Sequence, residues 1–258
     1  MAIKIPSRFL GQPIEGSMKR VLQSPASNPP TSPPPANRPP KPANIVGPEK
    51  YIILDGKNYG SYSYSDTLIS TERTHLGKNW RDSQAGLASE GAFMLTVRQF
   101  ADFLSLLKSG NAYDGTGRKI AKGKLTTLLK DIVEVRDPYR AEWLNADFKV
   151  VSGDLHINYE HQLVGGILKP TYSEPLESFL MEGKQPGIDL NDWISRATKQ
   201  GLPPTDVKNG RLWYYSPMDD NKSVALFYAY SGGAGLGCGR DPAGTYPSLG
   251  VRAVRAKI

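Results

Sequence analysis

The side chains that most often carry catalysis or hold metals are few in this chain of 258 residues. There is one cysteine, Cys238, and there are three histidines, His75, His156 and His161. One thiol cannot form an intrachain disulfide, and the histidines share no metal-ligand spacing with the cysteine or with each other. We therefore predict no disulfide framework, no metal site and no thiol relay.

Motifs for an activated nucleophile or a phosphate cradle are also missing, since the sequence has no G-x-S-x-G, H-E-x-x-H or P-loop. The adjacent carboxylates Asp219 and Asp220 fall in a predicted hairpin turn, where aspartate is common for conformational reasons. A structural role is likewise favoured for Glu174 and Glu177. The G-x-G-x-G spacing after Ser231 lacks the strand and helix of a dinucleotide-binding unit. These observations predict that the protein is not an enzyme and has no cofactor.

The pattern that most favours binding is an alternation of glycine with apolar residues near the C-terminus. In an extended segment it places the glycines on one face and Ala234, Leu236 and Cys238 on the other. We expect the glycine face to be an exposed display surface, and Cys238 to be a buried, unreactive thiol beside Leu236. A glycine-rich loop with positive φ angles is the alternative.

The segment before the glycines is rich in tyrosine and divides by the same period of two. Ala225 and Phe227 are predicted to face the core, as is Trp213 of the preceding segment. Tyrosine gives a large amphipathic contact area at low entropic cost, which favours an outward position for Tyr228 and Tyr230. The predicted ligand-binding surface is Tyr214, Tyr215, Leu226, Tyr228, Tyr230, Ser231, Gly233, Gly235, Gly237, Gly239, Asp241 and Tyr246.

Helices and strands must position this surface, and their signals are clear. Thr96 is a helix N-cap followed by apolar residues at i, i+3, i+4 and i+7, with Gly110 as the stop. Further helices are predicted over Trp80–Glu90, around residues 125–132 and over Asp192–Lys199. Strands are predicted at Tyr51–Leu54, in a hairpin over Phe148–Tyr159, and at Arg211–Ser216, Val224–Ser231 and Leu249–Arg255. The order, helices first and β-structure last, predicts an α+β domain.

The C-terminal sequence SLGVRAVR, residues 248–255, resembles the terminal G-F-R-x-x-R strand of C-type-lectin-fold proteins related to formylglycine-generating enzymes. Val251 stands where that pattern has Phe, and the R-G-G-S-W stretch has its nearest counterpart at residues 230–233. The same fold is used by the variable proteins of diversity-generating retroelements, and the chain is most similar to those of archaea and their tailed viruses. The resemblance implies a C-type lectin-like domain whose C-terminal surface binds a variable protein or a cell-surface ligand. The enzymes of this fold rely on two reactive cysteines, so their activity is not expected with Cys238 alone.

A gap in composition agrees with this resemblance. In such variable proteins, mutagenesis at adenines rewrites Asn-type codons near the 3′ end, and the reachable residues exclude Lys, Glu, Gln, Met and Trp. These five types make up 44 of the 258 residues, yet none occurs in the 34 residues from Ser223 to Ala256. A β-rich, glycine-rich segment also disfavours Lys and Glu. An enzyme on the same fold and an invariant structural tail-fibre protein remain the alternatives to a diversified binding protein.

The N-terminal part has a different composition from the body. Nine of the eighteen residues from Pro25 to Pro42 are proline, which predicts an extended linker over residues 23–48 between an attachment segment, residues 1–22, and the binding domain, residues 49–258. We expect residues 1–22 to dock on a virion or surface scaffold, and a disordered leader is equally open. No signal peptide or membrane span is predicted. We expect the protein on a virion tail or a cell surface, and the absence of a signal peptide favours the virion, because a tail component reaches the exterior by assembly and lysis.

The net charge of +7 does not favour nucleic-acid binding. Residues 1–50 carry seven basic and two acidic side chains, whereas residues 51–258 carry 25 basic and 23 acidic ones. A near balance of this kind is typical of an ordinary solvated surface, and no Lys/Arg run is interleaved with aromatic residues. We therefore predict no nucleic-acid partner.

Overall fold

The computed structural model describes residues 8–9, 12–13 and 47–257 except residue 177, with the backbone alone given at residues 8–9, 12–13, 185 and 186. The chain forms two compact units, residues 1–41 and 42–258. In the first unit the description covers a short antiparallel pair, β1 (Arg8–Phe9) and β2 (Gln12–Pro13). Apart from these four residues, the predicted attachment segment lies outside the described residues, as does the predicted linker up to residue 46.

Four helices of the second unit follow the predicted signals. They are α1 (Trp80–Ser89), α2 (Val97–Ser109), α3 (Lys122–Val133) and α4 (Leu190–Arg196). At the start of α2 the Thr96 hydroxyl accepts a hydrogen bond from the backbone N–H of Gln99 at 3.2 Å, and the Gln99 side chain accepts one from the N–H of Thr96 at 3.0 Å. Gly110 ends α2 at φ 68°. The four predicted helices are confirmed, although α4 is shorter than expected.

The strands of the second unit are more numerous than predicted. They are β3 (Tyr51–Leu54), β4 (Lys57–Asn58), β5 (Ser63–Tyr64), β6 (Thr67–Thr74), β7 (Phe93–Met94), β8 (Arg140–Val151), β9 (Asp154–Val164), β10 (Ile167–Pro175), β11 (Lys184–Ile188), β12 (Leu212–Tyr215), β13 (Val224–Tyr230), β14 (Gly233–Arg240) and β15 (Leu249–Ala256). Except for the β4–β5 pair, all of them belong to one sheet of eleven strands.

This sheet joins the beginning and the end of the second unit. Its main order is β11-β12-β14-β13-β8-β15-β6-β3, with the β9–β10 hairpin attached to β8 and with β7 attached to β15. The β12–β14 and β15–β8 pairs are parallel, and the other pairs are antiparallel. The α+β class is confirmed. The predicted strand Tyr51–Leu54 is confirmed as β3, and it pairs at the edge of the sheet with β6, a second strand before the helices that was not predicted.

Side chains cover both faces of the central strands. The larger core lies between the sheet and helices α2, α3 and α4, where Phe227 of β13 packs against Phe100 at 5.2 Å and Trp193 at 6.3 Å between ring centroids. The second core lies on the opposite face and joins Trp80 and Leu87 of α1 to side chains of β8, β13 and β15. A sheet covered on both faces needs apolar residues at successive positions of a strand, as all six residues from Val224 to Ala229 show.

The C-terminal residues that resemble the G-F-R-x-x-R strand have structural roles in β15. A Cβ atom on Gly250 would lie 2.9 Å from the carbonyl oxygen of Thr74, so the close approach of β6 requires glycine there. Val251 is fully buried. The Arg252 side chain lies in the interior, and the Arg255 side chain donates a hydrogen bond to the Tyr51 hydroxyl at 3.2 Å. These contacts join the last strand to the first strands of the domain.

Candidate ligand-binding surface

Four aromatic rings lie over the glycines of β14. In register, Gly235 is flanked by Trp213 of β12 and Tyr228 of β13, and Gly237 is flanked by Tyr215 and Leu226. Tyr230 stands opposite Gly233. The centroid distances are 5.8 Å for Trp213–Tyr230, 6.0 Å for Tyr228–Tyr230 and 6.3 Å for Tyr215–Tyr228. We call Trp213, Tyr215, Tyr228 and Tyr230 the aromatic layer.

The glycines make room for these rings. A Cβ atom on Gly233 would lie 2.8 Å from the indole nitrogen of Trp213, and one on Gly235 would lie 2.4 Å from the Trp213 carbonyl oxygen. At Gly237 the nearest atoms, in Arg240 and Tyr228, are 3.6–3.7 Å away, which is ordinary contact. Glycine is therefore needed at 233 and 235 for packing, whereas position 237 has space for a small side chain.

A β-bulge places Arg240 on the same face as the aromatic layer. The β13–β14 register pairs Leu226 with Gly237 but Val224 with Arg240, so three residues of β14 stand against two of β13. The extra residue shifts the alternation, and the Arg240 side chain then reaches Gly237 instead of following Leu236 and Cys238 inward.

The Arg240 guanidinium is exposed and lies beside two tyrosines of the aromatic layer. Its carbon is 5.5 Å from the ring centroid of Tyr228 and 5.9 Å from that of Tyr215, within the range of cation–π attraction. Tyr228 is 1% exposed, and its hydroxyl makes no hydrogen bond of acceptable geometry with a described residue. Burial raises the pKa of Tyr228 well above its usual range, and the nearby Tyr215 hydroxyl adds to the increase while Arg240 opposes it. The Tyr228 phenol is thus a neutral donor beside a cation.

The loop between β14 and β15 forms a rim next to this cation. Tyr246 is 60% exposed and packs on Tyr139 with a centroid distance of 5.5 Å. Burial raises the pKa of Tyr139, and the positive charge of Arg240 partly offsets the increase. The loop is fixed to α1 by a hydrogen bond from the backbone N–H of Trp80 to the Pro242 carbonyl oxygen at 3.0 Å. The rim is therefore attached to a packed helix.

The predicted surface residues divide into three groups. Ser231, Asp241 and Tyr246 are exposed, and Tyr215, Tyr230 and Gly239 are partly buried. The other six, predicted to face outward, are buried, and for these the predicted exposure is wrong: Tyr214, Leu226, Tyr228, Gly233, Gly235 and Gly237.

The burial of these residues has physical causes. Tyr214 points away from Trp213 and Tyr215, as neighbours in a strand must, and its hydroxyl donates to the Leu180 carbonyl at 3.0 Å in the larger core. Leu226 packs in the second core opposite Trp143. The glycines of β14 lie beneath the aromatic layer.

Sequence reasoning missed two members of this region, Arg240 and Tyr139, and assigned Trp213 to the core although it is only partly buried. Strict alternation along β14 predicts that Arg240 faces the core, as Cys238 does. The bulge turns the Arg240 side chain to the other face, and no residue pattern in the sequence marks that bulge. Tyr139 directly follows Pro138 and precedes the first residue of β8, where no periodicity marks its direction.

Other groups capable of chemistry are used for structure. Cys238 is fully buried with Leu236 in the larger core, as predicted, and burial raises the pKa of its thiol far above the usual range. His161 is buried, with Nδ1 at 2.6 Å from the Asn145 Oδ1 and Nε2 at 3.2 Å from a carboxylate oxygen of Asp147. In the described part of the chain, no group of three or more His, Cys, Asp or Glu residues could hold a metal ion, and no helix is long and apolar enough to cross a membrane.

No protein-family model, curated protein or solved structure matches the chain.

Proposed function

We propose that this protein is a binding protein that displays the partly buried rings of the aromatic layer, the loop after β14 and Arg240 to a protein or cell-surface ligand. The observation that carries the proposal is the arrangement of Trp213, Tyr215 and Tyr230 as partly buried rings beside an exposed arginine. Tyr, Trp and Arg are the residues most enriched at binding hot spots, because they combine large contact area with hydrogen-bonding groups. The hydrogen-bonded strands β12, β14 and β13 hold the rings in place, so binding costs little conformational entropy.

The finer parts of the proposal come from the resemblance to retroelement variable proteins. The domain is a C-type lectin-like domain whose C-terminal surface is diversified, and the protein is a receptor-binding component of a virion tail or a cell surface. Residues 1–22 attach it to that scaffold. The packing restricts the diversified positions to those with room for new side chains, chiefly Ser231, Gly237, Asp241 and Tyr246.

Binding to intact candidate host cells tests the display function. The test variant carries Tyr215→Ser, Tyr230→Ser and Tyr246→Ser in the full chain. The matched control carries Tyr113→Ser and Tyr172→Ser, since these exposed tyrosines lie outside the aromatic layer and the rim. Each variant is presented in many copies on one particle, so that a weak single contact is amplified by avidity. Loss of binding with the first variant and retention with the control supports the proposal, and equal binding by both contradicts it.

Sequencing tests the diversification. A neighbouring reverse-transcriptase gene, together with a near-copy of the 3′ end that differs at adenines, is the expected genomic context. Across isolates, codons for Ser231, Asp241 and Tyr246 should vary and the codon for Gly235 should not. An identical C-terminus in all isolates would instead favour an invariant structural component.

A further inference from the structure

We infer that the aromatic layer recognises a carboxylate of a partner protein, an aspartate or glutamate side chain that docks on Arg240. This inference rests on the proposed function and names the chemistry of its ligand. Arg240 forms no ion pair with any described residue. Arg252, by contrast, has its carboxylate partner within 2.8 Å.

The two tyrosine rings hold the guanidinium without using its hydrogen bonds. Tyr215 and Tyr228 attract the cation through their ring electrons, and the planar N–H fork remains available. A carboxylate matches this fork in a bidentate geometry, which gives stronger hydrogen bonds than a neutral acceptor does. The fork is a cationic donor, so the ligand group that suits it is an acceptor with negative charge.

Two carboxylates that lie close to Arg240 in sequence or in strand register have other partners. One Asp241 oxygen accepts the backbone N–H of Ala243 at 2.9 Å. Asp147 of β8 pairs with Val224 of β13, which in turn pairs with Arg240. Its two carboxylate oxygens lie 3.2 Å from the His161 Nε2 and 3.6 Å from the Lys149 Nζ. The aromatic content of the layer favours a protein ligand, since such surfaces are typical of protein–protein hot spots.

Titration of the ¹⁵N-labelled full chain with a matched peptide pair tests the inference by NMR. The probes are acetyl-Gly-Phe-Glu-Phe-Gly-amide and the same peptide with Gln in place of Glu. The side-chain Nε–H signal of Arg240 is assigned by its loss in Arg240→Gln. We expect the Glu peptide to shift this signal in a saturable way and to bind roughly tenfold more tightly than the Gln peptide, the difference between charged and neutral hydrogen bonds.

Variants show which group is responsible. Arg240→Gln should remove the preference for Glu, and Arg240→Lys should weaken it because the bidentate fork is lost. Arg118→Gln removes the same charge from an exposed residue of the α2–α3 loop and should keep the preference. Equal affinity for the two peptides, or a preference that survives Arg240→Gln, overturns the inference. A glucuronate titration that shifts Arg240 more than the Glu peptide does overturns the protein partner in favour of an acidic glycan.

The outcome can be separated from that of the proposed function. If Arg240→Gln particles bind host cells as the unchanged protein does while the triple tyrosine variant has lost binding, the carboxylate inference fails and the display function stands. If neither variant affects binding, the display function fails and the inference fails with it.

Discussion

The Arg252 guanidinium and the Glu142 carboxylate form a bidentate ion pair in the interior, with Nε–Oε2 at 2.8 Å and Nη2–Oε1 at 2.9 Å. Both side chains are at most 3% exposed. The same carboxylate accepts a hydrogen bond from Arg140 at 2.8 Å, and Arg252 also donates to the carbonyl oxygens of Ser70 and Thr71. One side chain of β15 is therefore bonded to both neighbouring strands, β8 and β6.

Arg252→Ala should destabilise the protein by about 3–5 kcal/mol, because Glu142 would remain buried without its main partner. Urea unfolding followed by tryptophan fluorescence measures the loss. Lys257→Ala is the control, since its ion pair with Asp66 is exposed and should contribute less than about 1 kcal/mol. A similar small loss for both variants would show that the ion pair does not fix β15.

The sequence alone shows the spacing of the glycine and arginine residues of β15 but not their structural role. The spacing of Gly250, Arg252 and Arg255 is local, whereas the partners of Arg252 lie 110 or more residues away. Similarly, the alternation of Leu236 and Cys238 correctly placed both in the core. The same alternation failed for Leu226, since it shows only that two faces exist, and here both faces are covered. Arg240 could not be assigned because a bulge interrupts the period.

Gly235→Ala and Gly237→Ala test the packing of the aromatic layer. Gly235→Ala should destabilise by about 1–3 kcal/mol, because the new methyl group would lie 2.4 Å from the Trp213 carbonyl oxygen and push β12 away. Gly237→Ala should change the stability by less than about 0.5 kcal/mol, because its nearest neighbours are at 3.6 Å. Thermal unfolding of the two variants measures the difference, and equal melting temperatures would contradict the assignment of the glycines.

The pH dependence of stability should contain a contribution from Glu160. Burial raises the pKa of this carboxyl to about 7 from its usual 4.5. Between these pH values the native state keeps a proton that the unfolded state has lost, so the contribution of Glu160 to stability is greatest below about pH 4.5 and falls as the pH rises through 7. Glu160→Gln should remove this fall and raise the melting temperature at pH 8 but not at pH 4. Glutamine and glutamate are equally suited to the positive φ angle of 54° at this position, so the substitution itself adds no backbone strain. An equal change at both pH values would indicate a cause other than ionisation.

Exposed positions of the proposed display surface should tolerate substitution, whereas buried positions of β13 should not. Ser231→Ala, Asp241→Asn and Tyr246→Ser together should lower the stability little, because exposed positions usually change it by less than about 0.5 kcal/mol each. Asn at 241 keeps an oxygen for the backbone N–H of Ala243, so the turn is preserved. Leu226→Ala should instead cost about 2–5 kcal/mol, since it opens a cavity in the second core opposite Trp143. Urea midpoints of the two variants measure the contrast. If the triple variant loses as much stability as Leu226→Ala, these three positions contribute to the folded core and cannot vary freely in a display surface.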